Sequence, residues 1–310
     1  MKKIGILTSG GDAPGMNAAI RAVVRTAASL NVRTIGFLGG YEGLMKGEMI
    51  ELLPDTVSGW TGKGGTWLRT SRSREFHLPE GLVTAATVLI NEAFDGLIVL
   101  GGDGTFRGAA DLRRYLQIPI VGIPCTIDKN VEGTEGTIGF DSALNGLVMY
   151  VEQTKNTAGS HSRTYLIEVM GNGAPHLTID GACASGADGY IIEKPSVKKL
   201  KQILSQTKNS QNFRIIFVLE GDKPWERVKK AEMLIRKAFP HLETKIQRPE
   251  TPLRGNFPSA ADRLMATSMG ELAVTSLLKA EGDLFALTAI QNGRYLTVPL
   301  PDKIDKIDKP

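Results

Sequence analysis

The sequence predicts an α/β protein made of two doubly wound, three-layer lobes with largely parallel sheets. Short runs of β-branched and aliphatic residues alternate with amphipathic stretches along almost the whole chain. Several of these runs are apolar throughout and are bounded by glycine, which is typical of strands buried on both faces of a parallel sheet. A length of 310 residues and a hydrophobic content of 42% favour two lobes over one.

Residues 1–140 are predicted to form most of the first lobe. Its strands are predicted at "KIGIL", "VRTIGF", "GLIVL" and "IPIVGI". Helices are predicted between these strands, from Asn17 to about Leu30, from about Glu80 to Phe94, and from Phe106 onward. A long helix from Ala260 to Ala280 and the strand-like runs "LFALTAI" and "YLTVPL" are assigned to the same lobe, which therefore also includes residues 254–303.

Residues 141–253 are predicted to form the second lobe, because the alternation of strand-like and helical stretches restarts at Asp141. Strands are predicted at "TYLIEVM", "GYIIE" and "RIIFVL". The predicted helices cover residues 141–157, 176–186, 196–206 and 224–238. The segment "KIQRPETPLRGNFPS" is rich in proline and arginine and is predicted to be irregular, and residues 304–310 are predicted to form a frayed, charged tail.

The composition limits the classes of partner. The net charge of +4 comes from scattered basic residues with few aromatics among them, so no nucleic-acid partner is expected. No apolar run reaches the ~18 residues that a membrane helix needs, and no membrane partner is expected. Two cysteines are too few for a disulfide framework or a cysteine metal site. These features predict a cytoplasmic protein.

Three glycine-bearing turns predict a phosphate-binding crevice. They are "TSGGDAPGMN", "GKGGTWLRTSR" and "GGDGTFRG", and each is predicted to follow a strand. Loops at the carboxyl ends of parallel strands line the ligand crevice, where glycine lets backbone N–H groups approach a phosphate. The alternative is that glycine only makes tight turns. Asp103 would repel an anion in this place, and a magnesium ion between them resolves the conflict.

These segments together resemble the bacterial-type ATP-dependent 6-phosphofructokinases over nearly the whole chain. The matching motifs are "ILTSGGDAPGMNAAIR" at 6–21, "GGDGT" at 101–105, "TID" at 126–128, "GTIGFDSAL" at 136–144, "SHSR" at 160–163 and "EVMG" at 168–171. The resemblance implies a phosphofructokinase-like fold and transfer of a phosphoryl group from ATP to the 1-hydroxyl of fructose 6-phosphate. Gly104 and Cys125 stand where pyrophosphate-using relatives have an aspartate and a lysine, which favours ATP.

The resemblance also implies the residues of each part of the site. Asp128 falls on the general base, and Thr126 on a substrate contact beside it. The residues implied to bind ATP are Gly11, Tyr41, Arg72, Gly102, Asp103, Gly104, Thr105 and Gly108, with Asp103 also as the Mg²⁺ ligand. The residues implied to bind the sugar phosphate are Arg163, Met170, Gly171, Glu220, Lys245 and Arg254. Arg21 and Arg25 match an effector site, and a homotetramer with shared active sites is implied.

Several positions depart from the family pattern, and most of them lie on the sugar side. Asn130 replaces an aspartate, Asn172 and Lys245 replace arginines, and Thr251 replaces a histidine. The effector site also departs, because Lys155 and Asp188 replace an arginine and a glutamate. Two alternatives therefore stand beside the expected reaction: a non-catalytic or regulatory paralogue that binds nucleotide, and a kinase of another sugar phosphate.

Overall fold

The structure is a computed structural model, and it describes residues 2–206 and 212–301. The tail predicted at 304–310 lies outside the described residues. The strands are β1 (Lys3–Thr8), β2 (Arg33–Phe37), β3 (Met49–Leu52), β4 (Gly96–Gly101), β5 (Ile120–Pro124), β6 (Thr164–Val169), β7 (Gly189–Ile191), β8 (Arg214–Leu219), β9 (Thr244–Gln247), β10 (Phe285–Gln291) and β11 (Arg294–Pro299).

Ten α-helices and two short 3-10 helices lie between the strands within the described ranges. The α-helices are α1 (Met16–Ser29), α2 (Gly40–Lys46), α3 (Pro79–Asn91), α4 (Asp103–Arg113), α5 (Phe140–His161), α6 (His176–Ser185), α7 (Val197–Gln206), α8 (Glu226–Ala238), α9 (Glu250–Arg254) and α10 (Ala260–Lys279). The 3-10 helices are Trp60–Gly62 and Glu75–His77. The α/β class with largely parallel sheets is thereby confirmed.

The chain divides into two compact units. The first unit comprises the N-terminal segment that ends at Thr126, then Asn130–Ser142, then the C-terminal segment that begins at Arg254. The second unit comprises Ile127–Lys129 and Ala143–Leu253. The general base expected from the sequence, Asp128, therefore belongs to the second unit, whereas the neighbouring Thr126 belongs to the first.

The first unit contains a seven-stranded sheet in the order β11-β10-β5-β4-β1-β2-β3. The central strands are parallel, and only the edge pairs β2/β3 and β10/β11 are antiparallel. Central strands such as β4 are buried along their whole length, which explains why their sequences are continuously apolar. Against this sheet α10 packs beside α1, and Gly270 allows the close approach because a Cβ there would lie 2.6 Å from the Cβ of Ala22.

The second unit contains a four-stranded parallel sheet in the order β7-β8-β6-β9. Its core includes Leu166 of β6, Ile216 and Val218 of β8, and Val228 and Ile235 of α8. Because all four strands run in the same direction, their carboxyl ends meet at one edge of the sheet, which is the edge where open α/β sheets bind ligands.

The structure corrects several predicted boundaries. The helix predicted to end at Phe94 ends at Asn91, because Ala93 adopts a left-handed φ of 52°. The helix predicted from Phe106 begins three residues earlier, at Asp103, since Gly102 is its N-cap. The helix predicted to end near Thr157 continues to His161.

Two larger predictions were wrong. The segment predicted to be irregular contains β9 and α9, which are four and five residues long and therefore too short to give a periodic pattern. The second glycine turn, residues 62–72, does not directly follow a strand. It follows the 3-10 helix Trp60–Gly62, and α2 and β3 were not predicted from the sequence at all.

Candidate active site

Three glycine turns of the first unit are joined by hydroxyl hydrogen bonds. The Thr105 hydroxyl donates to the Ser9 carbonyl at 3.0 Å and so ties the third turn to the first. The Thr70 hydroxyl donates to the Gly10 carbonyl at 2.9 Å and ties the second turn to the first. The three turns that the sequence singled out therefore do lie together, although they are far apart along the chain.

The start of α4 is the feature of this cluster best suited to an anion. Thr105 and Phe106 donate their N–H groups to the Gly102 carbonyl. Asp103 and Gly104 occupy the first turn, where an α-helix leaves its N–H groups without intrahelical acceptors. Such amides, together with the positive end of the helix dipole, attract phosphate groups.

The Asp103 carboxylate forms an ion pair with Arg107 of the same helix. Arg107 Nη1 lies 3.0 Å from Asp103 Oδ2, at the i, i+4 spacing. Burial raises the pKa of Asp103, and the positive charge of Arg107 opposes that rise. Arg107 was not among the residues predicted for the site, although its spacing from Asp103 along a predicted helix could have indicated it.

Tyr41 and Gly108 support α4 from the side. The Tyr41 hydroxyl donates to the Thr105 carbonyl at 2.7 Å, and its ring stacks on Phe76 with the centroids 3.9 Å apart. Burial raises the pKa of Tyr41, so the hydroxyl keeps its proton. A Cβ on Gly108 would lie 2.9 Å from both rings. Both residues, predicted on the ATP side, thus fix the helix that carries Asp103.

Gly11 lies against Arg254, which the sequence assigned to the sugar phosphate. Arg254 Nη1 donates to the Asp12 carbonyl at 3.0 Å, and a Cβ on Gly11 would lie 2.4 Å from the same nitrogen. An added Cβ would therefore displace the guanidinium, and glycine leaves room for Arg254 at the first turn. Arg72 is exposed and follows Ser71, whose hydroxyl donates to the Gly39 carbonyl at 2.7 Å.

Thr126 lies beside the start of α4. A Cβ built on Gly102 would be 3.4 Å from the Thr126 Cβ, and the Thr126 carbonyl accepts from the Thr137 hydroxyl at 2.7 Å. Cys125 is completely buried, and this burial raises the pKa of its thiol, so it is an inert core residue.

In the second unit, Asp128 is a nearly buried carboxylate with 9% of its surface exposed. The next residue, Lys129, has a left-handed φ of 52°, and Asn172 has a φ of 49°. Asparagine tolerates this conformation better than most residues, so Asn172 suits its turn. Lysine has no such preference at position 129.

Glu220 organises the turn that carries Met170, Gly171 and Asn172. One of its oxygens, Oε1, accepts the N–H of Gly171 at 3.0 Å and that of Asn172 at 2.6 Å. A Cβ on Gly171 would lie 2.2 Å from the Ala174 carbonyl oxygen, so only glycine fits. Met170 is buried. Three residues predicted for the sugar phosphate are therefore neighbours at the carboxyl ends of β6 and β8.

Arg163 and Lys245 lie near the opposite edge of the same sheet, the first directly before β6 and the second near the start of β9. Both approach the Glu243 carboxylate, Arg163 Nε at 2.7 Å and Lys245 Nζ at 3.8 Å. Arg163 precedes β6, whereas Gly171 follows it, and six extended residues span ~20 Å. The residues predicted to bind the sugar phosphate in the second unit thus form two separate groups, which a single bound sugar within one chain cannot contact together.

The predicted effector residues are placed in both units. Arg21 and Arg25 are one turn apart on α1, half-buried and exposed respectively. In the second unit, Lys155 contacts the Ser185 carbonyl and Glu152, and Asp188 Oδ2 accepts the N–H of Ile215 at 2.7 Å. The two departures from the family pattern, Lys155 and Asp188, therefore have partners within their own unit.

Arg248 is the main residue that sequence reasoning missed. It follows β9, is 5% exposed in its side chain, and contacts the carboxylates of Glu168, Glu220 and Glu250. Burial lowers the pKa of Arg248, but its hydrogen bonds to Glu250 and Glu168 and the charge of Glu220 outweigh burial and raise it. No spacing in the sequence indicates this cluster, because Glu168 lies in β6, Glu220 follows β8, and Arg248 and Glu250 follow β9.

The described residues do not form a preformed metal site from side chains alone. Among residues 2–206 and 212–301, no three histidine, cysteine, aspartate or glutamate residues are grouped to hold one. Mg²⁺ commonly binds through one or two carboxylates plus the phosphates of its substrate. The single carboxylate of Asp103, at a helix N-terminus suited to phosphates, fits that mode.

Comparison with known proteins gives one consistent result. The phosphofructokinase family profile matches residues 3–277. The chain is 37% identical over 313 residues to "ATP-dependent 6-phosphofructokinase 2" of Bacteroides thetaiotaomicron, covering 100% of this chain and 95% of the relative. It is 41% identical over 285 residues to "ATP-dependent 6-phosphofructokinase 1" of Thermus thermophilus, covering 90% of this chain and 87% of the relative.

A solved structure with the same fold is phosphofructokinase from Saccharomyces cerevisiae, with a TM-score of 0.87 and 32% identity over 96% of this chain. The match spans 45% of that yeast chain, so the present chain corresponds to less than half of it.

Proposed function

The chain belongs to the phosphofructokinase family, and we propose that it transfers the γ-phosphate of ATP to the 1-hydroxyl of fructose 6-phosphate, the reaction that produces fructose 1,6-bisphosphate in glycolysis. The observation that carries this proposal is the cluster of glycine turns around the start of α4, in a chain similar along its whole length to enzymes named for this reaction.

ATP is proposed to bind the first unit with its phosphates at the start of α4. The amides of Asp103 and Gly104 would face the phosphates, and Arg72 would add a positive charge beside them. Asp103 is proposed to hold Mg²⁺, which when bound supplies positive charge to the phosphates. Arg107 would have to release or share the Asp103 carboxylate, since the two are paired in the structure.

Asp128 is proposed as the general base that takes the proton from the sugar hydroxyl as it attacks. Phosphoryl transfer requires little covalent chemistry from the protein. Positioning of the reactants and electrostatic stabilisation therefore supply most of the rate enhancement. A positioned base contributes about 10² to 10⁴-fold. The near burial of Asp128 supports this role, because excluding water strengthens the electrostatic interaction between a carboxylate and the hydroxyl that it deprotonates.

The acceptor is proposed to lie at the carboxyl ends of β6 and β8, against Met170, Gly171 and Glu220. Arg163 and Lys245 cannot share that sugar within one chain, which supports a homotetramer in which these two residues serve a neighbouring copy. Arg254 is assigned to the sugar phosphate by the resemblance alone, and within the first unit it donates to the Asp12 carbonyl.

The departures on the sugar side favour one second candidate, a kinase of another sugar phosphate. Asn172 and Thr251 remove an arginine and a histidine from the acceptor side, and Lys245 replaces the flat fork of arginine with a point charge. A panel of phosphorylated sugars, assayed for ADP release, distinguishes the two acceptors. A non-catalytic paralogue would bind ATP and release no ADP with any of them.

The test is ADP release by the purified protein with MgATP and fructose 6-phosphate, with Asp128→Asn assayed in parallel. We expect turnover by the wild type and a loss of about 100-fold or more in kcat for the variant. ATP affinity, measured by calorimetry, should stay within about twofold in the variant, because Asp128 acts on the acceptor hydroxyl. Turnover by the variant at the wild-type rate would remove Asp128 from this role.

A glycolytic role also leads us to propose a cytoplasmic location, which cell fractionation tests. In the part of the chain that the structure describes, no helix is both long and apolar enough to cross a membrane.

A further inference from the structure

We infer that Arg248 is a positioning residue for the acceptor, which acts by fixing Glu220 and through it the turn Gly171–Asn172. This inference rests on the proposed function for its substrate. Its structural part, that one buried arginine holds this turn, concerns the protein with or without substrate.

Three charged residues lie together at one edge of the second sheet. Glu168 is in β6, Glu220 directly follows β8 and Arg248 directly follows β9. These strands are neighbours in the order β8-β6-β9 and run parallel, so all three residues lie at the carboxyl edge of the sheet. Arg248 therefore links three adjacent strand ends at the edge where a ligand is expected.

Three donors orient the Glu220 carboxylate. Oε1 accepts the amides of Gly171 and Asn172, and Oε2 accepts Arg248 Nη2 at 3.0 Å. A carboxylate offers about four acceptor sites, so three donors fix its direction and leave one site, on Oε2, for another donor. The side chain of Glu220 is 14% exposed, which lets a sugar hydroxyl reach that site.

Glu168 explains why this position requires arginine. Glu168 is completely buried and accepts both Arg248 and the N–H of Trp225, the latter at 2.9 Å. The planar guanidinium can serve Glu168 with one nitrogen and Glu220 with another. An ammonium group is a single point of charge and cannot reproduce that fork. Lysine at position 248 would keep the ion pair with the buried Glu168 and lose the hydrogen bond to Glu220.

The test uses Arg248→Lys, which keeps the charge that Glu168 needs. We expect the KM for fructose 6-phosphate to rise about 10-fold, as for the loss of one charge-assisted hydrogen bond, and the KM for ATP to change less than about twofold. Arg236→Lys is the matched control, because Arg236 pairs with Glu232 on the exposed face of α8 at 2.9 Å. This control should leave both constants unchanged.

A double-mutant cycle shows whether Arg248 acts through Glu220. Glu220→Gln alone should raise the KM for the sugar phosphate, and adding Arg248→Lys to it should raise that KM little further. Fully additive effects would overturn the inference, because they would mean that the two residues act separately. An unchanged KM in Arg248→Lys would overturn it as well.

Hydrogen exchange separates this inference from the proposed function. In Arg248→Lys, the amides of Gly171 and Asn172 should exchange faster than in the wild type, while those of β6 and β8 stay protected. Equal protection at Gly171 and Asn172 would overturn the inference. If the wild type phosphorylates no sugar, the proposed function fails, and this comparison still decides whether Arg248 holds the turn.

Discussion

The two units hold the carboxyl ends of their strands by different means. In the first unit, neutral hydroxyl and carbonyl groups join the glycine turns, as Thr70 and Thr105 do, and glycines allow side chains to pack closely on them. In the second unit, the buried charges of Glu168, Glu220 and Arg248 join the strand ends. The first arrangement is sensitive to added volume, and the second is sensitive to a lost charge.

This difference matches what each unit is proposed to bind. Phosphates need backbone amides at close range, and any Cβ in the way would exclude them, so the nucleotide side is built from glycine. A sugar needs oriented hydrogen-bond acceptors, and a carboxylate held by an arginine provides one.

The largest effect is expected when charge is removed from the second unit. Arg248→Met leaves Glu168 as a buried carboxylate without its cation, and such changes cost about 3–5 kcal/mol in the free energy of unfolding. Urea denaturation measures this loss, with Arg236→Met as the exposed control, for which about 0–1 kcal/mol is expected. A loss below that of the control would mean that the cluster does not hold the unit.

A smaller effect is expected when volume is added in the first unit. Gly108→Ala places a Cβ 2.9 Å from the rings of Tyr41 and Phe76, and overpacking of this kind costs about 1–3 kcal/mol. The matched control is Gly104→Ala on the same helix. There the nearest atom, on the flexible Arg107 side chain, is 3.7 Å away.

The control should therefore gain stability, by about 0.5–1 kcal/mol from helix propensity. Urea denaturation of the ligand-free protein measures both variants. Equal stability of the two would contradict the view that Gly108 is needed for close packing, because only Gly108 faces the two rings.

The smallest effect is expected in how the free energy of unfolding depends on pH through Asp262, a buried carboxyl group of the first unit. Burial raises the pKa of Asp262, and the hydrogen bonds that it accepts from Ser142 offset only part of this rise. A raised folded-state pKa means that this group contributes most stability below the unfolded carboxylate pKa of about 3.9 and loses that contribution as pH rises through the folded pKa.

We therefore expect Asp262→Asn, which does not titrate, to be less stable relative to wild type at about pH 4 than at about pH 7. Urea denaturation at the two pH values measures the change in the difference between the two proteins. A difference that grows with pH would show that the pKa shift has the opposite sign.

Much of the fold could be predicted because most of its strands and helices are long enough to carry a period. The strand β4 is a continuous apolar run, β8 is one after its first residue, and α10 was predicted to within one residue at its end. The short elements β3, β9 and α9 were missed, because four or five residues give no period and their stability comes from packing on neighbours.

The candidate site could be predicted in part for a related reason. Gly102, Asp103 and Asp128 lie in contiguous motifs, and a motif is visible without any structure. Arg107 was missed although its spacing from Asp103 is local. Arg248 could not have been found, because its partners Glu168 and Glu220 are 80 and 28 residues away along the chain.

The sequence by itself determined the α/β class, the glycine turns and the resemblance to one family, because these depend on local pattern. Only the tertiary structure decided which charges meet. It placed Arg163 and Lys245 at one end of the second sheet and Glu220 at the other. It also gave Glu168 and Glu220 a shared arginine. The physical reason is that ion pairs form between strands that are neighbours in the sheet, and the order of strands in a sheet differs from their order in the chain.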